Sequence, residues 1–250
     1  VDDSKTGDFL FVDRFRSNNY LNLKSNIGDN WDFELQIESY LPNTLLNYSP
    51  NFEKTNISTF KAEYFNNNFN LKIGNFYEQF GSGMALRSWE DKDLGINNSL
   101  LGLNFKYNLN DQINFTTLIG KQKKGFKYSN GFIVGFNSEL DFSKVVENDS
   151  TFLMGLSYVG RNDQTTKSDF YSEMTNLYSL RLDYSSSSLY SNLEYVQKSE
   201  NPVVIFGSLS DTFIKEGSAF LINSGFFKDG FGLDLTLKNS PKLVLLILPI

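Results

Sequence analysis

The stretch WDFELQIE (residues 31–38) decides the fold class, because its apolar and polar residues alternate without a break. Every odd position is apolar and every even position is polar. In a β-strand, residues of one parity line one face. The stretch therefore predicts a strand with one apolar and one polar face.

The same period of two recurs on both sides of this stretch, at residues 59–64, 101–107, 113–119 and 231–238, and helical periodicity is scarce. Two further segments place aromatic residues around aliphatic ones on a single face: Tyr178, Leu180, Leu182 and Tyr184, and Phe152, Met154, Leu156 and Tyr158. This order is expected for a strand that crosses a bilayer, with aliphatic side chains in the hydrocarbon and aromatic rings at the two interfaces. The opposite face of the second segment is less clean, since it includes Leu153 and Val159.

Short polar breaks at residues 66–68, 108–112, 185–188 and 228–230 alternate with longer gaps at 42–56, 77–99, 121–131, 161–175 and 198–215. Asn, Asp and Gly in the short breaks close hairpins readily. Short turns that alternate with long loops are typical of outer-membrane barrels. The sequence predicts an all-β, antiparallel up-and-down transmembrane β-barrel of roughly a dozen strands, as one domain over residues 1–250 that is incomplete at both ends.

Composition excludes several classes of function. The 250 residues contain no His and no Cys, which removes the Ser-His-Asp triad, thiol nucleophiles and His or Cys metal ligands. The formal net charge of -6 argues against a nucleic-acid partner. No pair of carboxylates is placed across a cleft by any motif. We therefore predict neither an enzyme nor a bound cofactor.

A soluble β-sandwich remains an alternative, because its strands also alternate. Three observations favour the membrane barrel: many predicted strands have about 9–11 residues, aromatic residues bracket aliphatic ones, and no helix or second layer covers the sheet. In a barrel the polar face lines the lumen. We expect the following charged residues there, in a mixed and hydrated lining: Asp32, Glu34, Glu38, Lys61, Glu63 and Arg181.

The most unusual stretch is residues 72–102 (KIGNFYEQFGSGMALRSWEDKDLGINNSLLG), here called the glycine-rich segment. Its charge and glycine content alone favour an ordinary external loop with solvated charges. The functional alternative is a loop that folds inward and constricts the lumen, with a salt-bridge network among its charged residues. The candidate constriction residues are Glu78, Arg87, Glu90, Asp91 and Asp93.

Four stretches carry a family resemblance: DRFRSNNYLNL (13–23), IESYLPNTLLNYSPNF (37–52), GNFYEQFGSGMALRSWEDKDLGINNSLLG (74–102) and GFNSELD (135–141). In these the chain resembles an uncharacterised family of outer-membrane β-barrel proteins from Bacteroidota, a domain of unknown function. The resemblance implies export to the outer membrane and assigns no activity. It also implies further sequence before Val1. The non-alternating end PKLVLLILPI (241–250) departs from the family and indicates a truncated chain.

Three functions remain open at this point. The first is a porin-like passive channel for small solutes in the bacterial outer membrane. The second is a structural or accessory outer-membrane protein that binds another envelope or secreted protein without transport. The third is a soluble β-rich surface module. The first two share the lipid bilayer as a partner.

Overall fold

The computed structural model describes residues 17–41, 55–145, 150–162, 174–205, 208–214 and 216–239. Twelve long strands, 8 to 12 residues each, form its main sheet. Their bounds are β1 Ser17–Ile27, β2 Trp31–Leu41, β3 Thr55–Phe65, β4 Phe69–Phe76, β5 Leu100–Asn110, β6 Ile113–Lys124, β7 Ile133–Asp141, β8 Thr151–Asn162, β9 Met174–Ser185, β10 Leu189–Lys198, β11 Gly217–Lys228 and β12 Phe231–Asn239.

Shorter elements lie in the connections between these strands. They are the strands Gln79–Phe80, Leu86–Arg87, Glu90–Asp91, Ile96–Asn97, Lys127–Tyr128, Asn201–Ile205 and Ser208–Ile214, and the 3₁₀ turn Ser143–Val145. Across the described ranges, no helix has the length and apolar character needed to cross a membrane.

Each long strand pairs antiparallel with its neighbours in sequence, so that the order across the sheet is β1 to β12. This confirms the predicted all-β, antiparallel up-and-down fold and its strand number. Within the described residues no pairing joins β12 to β1, and the sheet is open there. The non-alternating end at 241–250 lies outside the described part of the chain. So do residues 13–16, which begin the first stretch that resembles the family.

The two segments that place aromatic residues around aliphatic ones, 152–158 and 178–184, pair with each other as parts of β8 and β9. Phe152 lies opposite Tyr184, and Tyr158 opposite Tyr178, with the aliphatic pairs between them. The rings of Tyr158 and Tyr178 are 5.4 Å apart. Like residues therefore form continuous rows across these two neighbouring strands.

Connection lengths differ between the two ends of the sheet. At one end, five of the six connections contain two or three residues, whereas the five at the other end contain eight to 23. The β11–β12 turn shows why such tight connections work here. Asp229 and Gly230 both have positive φ, 44° and 85°, as a two-residue type I′ hairpin requires. We call the end of the sheet with the short connections the turn end, and the end with the long connections the loop end.

A row of three glycines bends the sheet near the loop end. Gly74, Gly102 and Gly120 are register partners on β4, β5 and β6. A Cβ on Gly102 would collide with the carbonyl oxygen of Ile119, so only glycine allows this approach. Beyond Gly74, whose φ is 110°, β4 leaves β3 but stays paired with β5. The β4–β5 ladder thereby carries residues 77–99 away from the edge of the sheet at the loop end.

Candidate functional site on the inner face

Residues 77–99 pack against the polar face of the sheet, here called the inner face. The side chain of Gln36 on β2 donates to Glu90 (3.4 Å), that of Asn104 on β5 donates to Glu78 (3.0 Å), and Glu194 on β10 accepts from the backbone N–H of Ser82 (2.9 Å). The interpretation of the glycine-rich segment as an external solvated loop is therefore wrong. The charge run belongs to a segment that the glycine bend directs inward.

These contacts favour a curved sheet. In a flat sheet, the eight strand intervals from β2 to β10 would span about 38 Å. The backbone from 82 to 90 would cover at most about 30 Å even if fully extended, and part of it is folded into a hairpin. A sheet that curves around this stretch brings both β2 and β10 within reach of it.

The first inner hairpin (residues 79–87) is held by apolar contacts. Phe80, which is only 1% exposed, packs with Met84 and Leu86 in one cluster. Their partners on the inner face come from five strands: Leu118, Val159, Leu177, Val196 and Ala219. This cluster was not predicted from the sequence. The signal in the sequence that could have revealed the cluster is the set of apolar residues at inward positions. Among them, Val159 stood out as an exception to the alternation.

Arg181 of β9 lies under the tip of the first inner hairpin and is 5% exposed. Its Nη1 donates to Ser157 (2.9 Å) and its Nη2 to Asn137 (2.6 Å). The side chain packs against Gly81 and Gly155, where a Cβ would collide with it. The predicted inward orientation of Arg181 thus corresponds to a guanidinium fixed between the hairpin tip and the wall.

Three predicted lumen residues meet in one ion-pair ladder across β1 to β4. Glu34 accepts from Lys24 at 2.9 Å and lies 3.6 Å from Lys61. Glu63 lies 2.8 Å from Lys61 and 3.5 Å from Lys72. Charges of opposite sign alternate along the ladder, with Lys61 and Glu63 both on β3, which keeps each carboxylate next to an ammonium group. Charges of both signs thus lie side by side on this face, and their role as the lining of a hydrated lumen stays a prediction.

Glu38 of β2 and Glu90, the first residue of the second inner hairpin (residues 90–97), share one hydrogen-bond donor. Glu38 is 2% exposed and accepts from Tyr40 (2.6 Å) and from Gln36 (2.7 Å). Glu90 accepts from Asn97 (3.0 Å) as well as from the same Gln36 amide. Gln36 therefore bridges the wall carboxylate and the hairpin carboxylate.

The other predicted residues are placed separately. Glu78 pairs with Lys106 of β5 at 2.9 Å, Arg87 is exposed above the Trp89 ring at 5.3 Å, and Asp91 accepts from the Leu94 N–H at 3.0 Å. Asp93 is exposed, and Asp32 accepts from Asn26 at 2.6 Å.

The salt-bridge network predicted within the glycine-rich segment is wrong. In the described part of the chain, no ion pair joins Glu78, Arg87, Glu90 and Asp93 to one another. The physical reason is that Glu78 and Glu90 have their polar partners on other residues, Lys106 and Gln36 among them. Among the described residues there is also no group of three or more carboxylates that could hold a metal ion.

The curved sheet and its filled inner face define an antiparallel up-and-down protein of the β-barrel type, with part of its own chain inside. Sequence comparison then gives a family: the chain belongs to a family of unknown function (DUF6029), which it matches over residues 1–247. This confirms a family of unknown function, as the resemblance implied, while its outer-membrane location and its Bacteroidota source stay predictions. No curated protein matches the chain.

Several solved structures are similar to this chain at low identity. OccK2 (OpdF) of Pseudomonas aeruginosa is 9% identical, with a TM-score of 0.44 over 84% of this chain and 69% of its own. OmpT, an outer membrane protein of Vibrio cholerae, is 10% identical, with a TM-score of 0.42 over 91% and 80%. OccK10 (OpdN) of Pseudomonas aeruginosa is 10% identical, with a TM-score of 0.28 over 90% and 87%.

Proposed function

We propose that the chain is a bacterial outer-membrane β-barrel protein that forms a narrow passive channel for small polar solutes. The observation that carries the membrane part is an inverted pattern of burial. Among the described residues, 21 polar or charged residues are buried against 12 hydrophobic ones, and 31 large hydrophobic residues are exposed. A soluble module of this size would bury the apolar set instead, whereas lipid is the solvent that suits such an outer face.

The aromatic rows support the same placement. On β9, Tyr178 is 56% exposed and Leu180 40% exposed on the outer face. On β2 to β5, an outer chain of rings continues the pattern near the turn end, with Trp31 5.0 Å from Tyr64. Aromatic rings at this level suit the interface between hydrocarbon and headgroups.

The channel part of the proposal is supported by the inner face. The ladder of Lys and Glu residues keeps its charges in a polar lining, and a polar cavity of about 230 Å³ lies at the tip of the first inner hairpin. The hairpins narrow the interior, so that small solutes fit better than large ones. The proposal includes no catalytic step, and its only assigned partner is the lipid bilayer.

The test is ion conductance of the full-length protein, folded in detergent and inserted into a planar lipid bilayer. Heat-modifiable gel mobility first establishes that the protein is folded. Discrete conductance steps are the expected result. Absence of conductance from protein that is demonstrably folded would contradict the channel.

A second candidate function is an accessory outer-membrane protein without transport, which binds another envelope protein. The apolar cluster around Phe80 favours it, because a hairpin packed against five strands can close the interior. A folded, non-conducting protein that recovers a specific envelope partner after cross-linking in cells would establish this alternative.

A further inference from the structure

Positive charge is concentrated at the loop end of the sheet, where β6 continues toward β7. Residues 112–138 contain four lysines and neither Asp nor Glu, although the whole chain has a net charge of -6. Lys123 is buried inside the protein. The other three are exposed and are here called the lysine cluster: Lys121, Lys124 and Lys127. Among the described residues, no carboxylate forms an ion pair with any of the three.

Two members of the lysine cluster lie directly opposite each other. Lys124 and Lys127 are register partners in the hairpin that Gly125 and Phe126 close. Directly opposite residues of an antiparallel pair have Cβ atoms about 4.5–5.5 Å apart, and like charges there repel each other. An anion bound between the two ammonium groups removes this repulsion. The hairpin therefore presents a position that favours negative charge.

Lys121 links this charge to the outer face of the sheet. It follows Ile119 on β6 with the same parity, so both side chains lie on the outer face. Two residues of a strand cover about 7 Å, which places Lys121 one row nearer the loop end than Ile119. A lysine at such a position keeps its methylene groups against apolar surface and extends its ammonium group into the polar region.

An apolar groove of about 490 Å³ lies on the outer face next to Lys121. Its position follows from side-chain size, because Thr117 lies between Phe105 and Phe136 in one row of register partners. Each ring packs against an aromatic residue one row nearer the turn end, with ring centroids 6.3 and 5.9 Å apart. The groove is open above the small Thr117 side chain, and Ile119 lines it on the side of Lys121.

The groove and the lysine cluster together match an amphipathic molecule. The groove is continuous with the apolar outer face, so an acyl chain suits it. Ammonium groups at its loop end are complementary in charge to a phosphate. We propose that this surface binds a phosphate-bearing lipid, with an acyl chain in the groove and the phosphate on the lysine cluster. The inference rests on the membrane placement in the proposed function. Long loops of outer-membrane barrels face outward, which assigns the lipid to the outer leaflet.

The first experiment compares three probes by native mass spectrometry of detergent-folded protein. The probes are dioleoyl phosphatidic acid, dioleoylglycerol, which has the same chains without the phosphate, and inorganic phosphate. Phosphatidic acid should bind about tenfold more tightly than either of the others, because only it engages both parts of the site. Equal binding of dioleoylglycerol would overturn the role of the lysines. Equal binding of inorganic phosphate would show a site for free anions and overturn the lipid.

The second experiment removes the charge. Lys121→Gln/Lys124→Gln should weaken binding of phosphatidic acid about 30-fold, since each lysine near an anionic lipid contributes roughly fivefold. The matched control is Lys144→Gln/Lys228→Gln, which removes two exposed lysines at the turn end. The control should bind like the wild type. Equal losses in the two double variants would indicate general attraction to anionic lipid and overturn the site.

The third experiment fills the groove without changing the charge. Thr117→Phe should weaken binding of phosphatidic acid by about tenfold or more, because the added ring occupies the place of the acyl chain. Thr117→Val, which keeps the size of the side chain, should bind like the wild type. Unchanged binding by folded Thr117→Phe protein would overturn the placement of the chain in the groove.

These measurements are independent of conductance. Selective lipid binding by a folded protein that does not conduct retains the lipid site and rejects the channel. Conductance by a protein that binds the three probes equally retains the channel and rejects the lipid site.

Discussion

Replacing Phe80 by alanine should release the first inner hairpin from the wall. The Phe80 ring is 1% exposed and contacts a cluster drawn from five strands. Truncation of a buried phenylalanine to alanine costs about 3–5 kcal/mol. The strand ladders are independent of this ring, so we assign the cost to docking of the hairpin. At 1.4 kcal/mol per tenfold, the ratio of docked to undocked hairpin falls by about 100- to 4,000-fold.

Two measurements detect this release. Conductance in a planar bilayer should rise, because the hairpin no longer narrows the interior. Trypsin should cleave faster after Arg87, which lies in the same hairpin. Phe136→Ala is the matched control: Phe136 is 43% exposed on the outer face, next to Gly135, which packs against the Phe80 ring.

The control variant should match the wild type in both conductance and cleavage. If folded Phe80→Ala protein also matched the wild type in both, the hairpin would not be held by this cluster, and the reasoning would be refuted.

Three further outcomes follow from the same geometry. Gly81→Ala adds a Cβ that collides with Arg181, and it places alanine at a φ of 54°; this backbone conformation by itself costs about 1–2 kcal/mol. Tryptic cleavage after Arg87 should therefore accelerate, and a wild-type rate of cleavage would contradict the contact. Gly102→Ala collides with the carbonyl of Ile119 and should lower the yield of heat-modifiable protein, whereas a normal yield would show that the β5–β6 approach is not tight. Wild-type protein should stay dispersed only in detergent or lipid, and a stable monomer in plain buffer would exclude the membrane placement.

Much of the fold could be predicted from local sequence because the period of two is a backbone property. Each strand with one apolar face, such as residues 31–38, carries its own orientation, and hairpin turns connect neighbours in order. The aromatic order of β8 and β9 likewise predicted rows that the register then aligned. None of this requires knowledge of distant contacts.

The interior could not be predicted in the same way, because it depends on residues far apart in sequence. Charges in the glycine-rich segment read as solvated until their partners on other strands are known; Glu78, for example, pairs with Lys106. Apolar residues at inward positions, such as Val159, stood out only as exceptions to the alternation. Their meaning appears only when Phe80 lies against them.

The hydrogen bond between Ser82 and Glu194 joins residues 112 positions apart, which has a consequence for assembly. Contacts of such separation form late, since a long chain must be ordered before they contribute. The first inner hairpin can reach its final place only after β10 has joined the growing sheet. An unfinished sheet leaves Phe80 and Leu86 without their apolar partners, so partly assembled chains expose a hairpin that complete ones conceal.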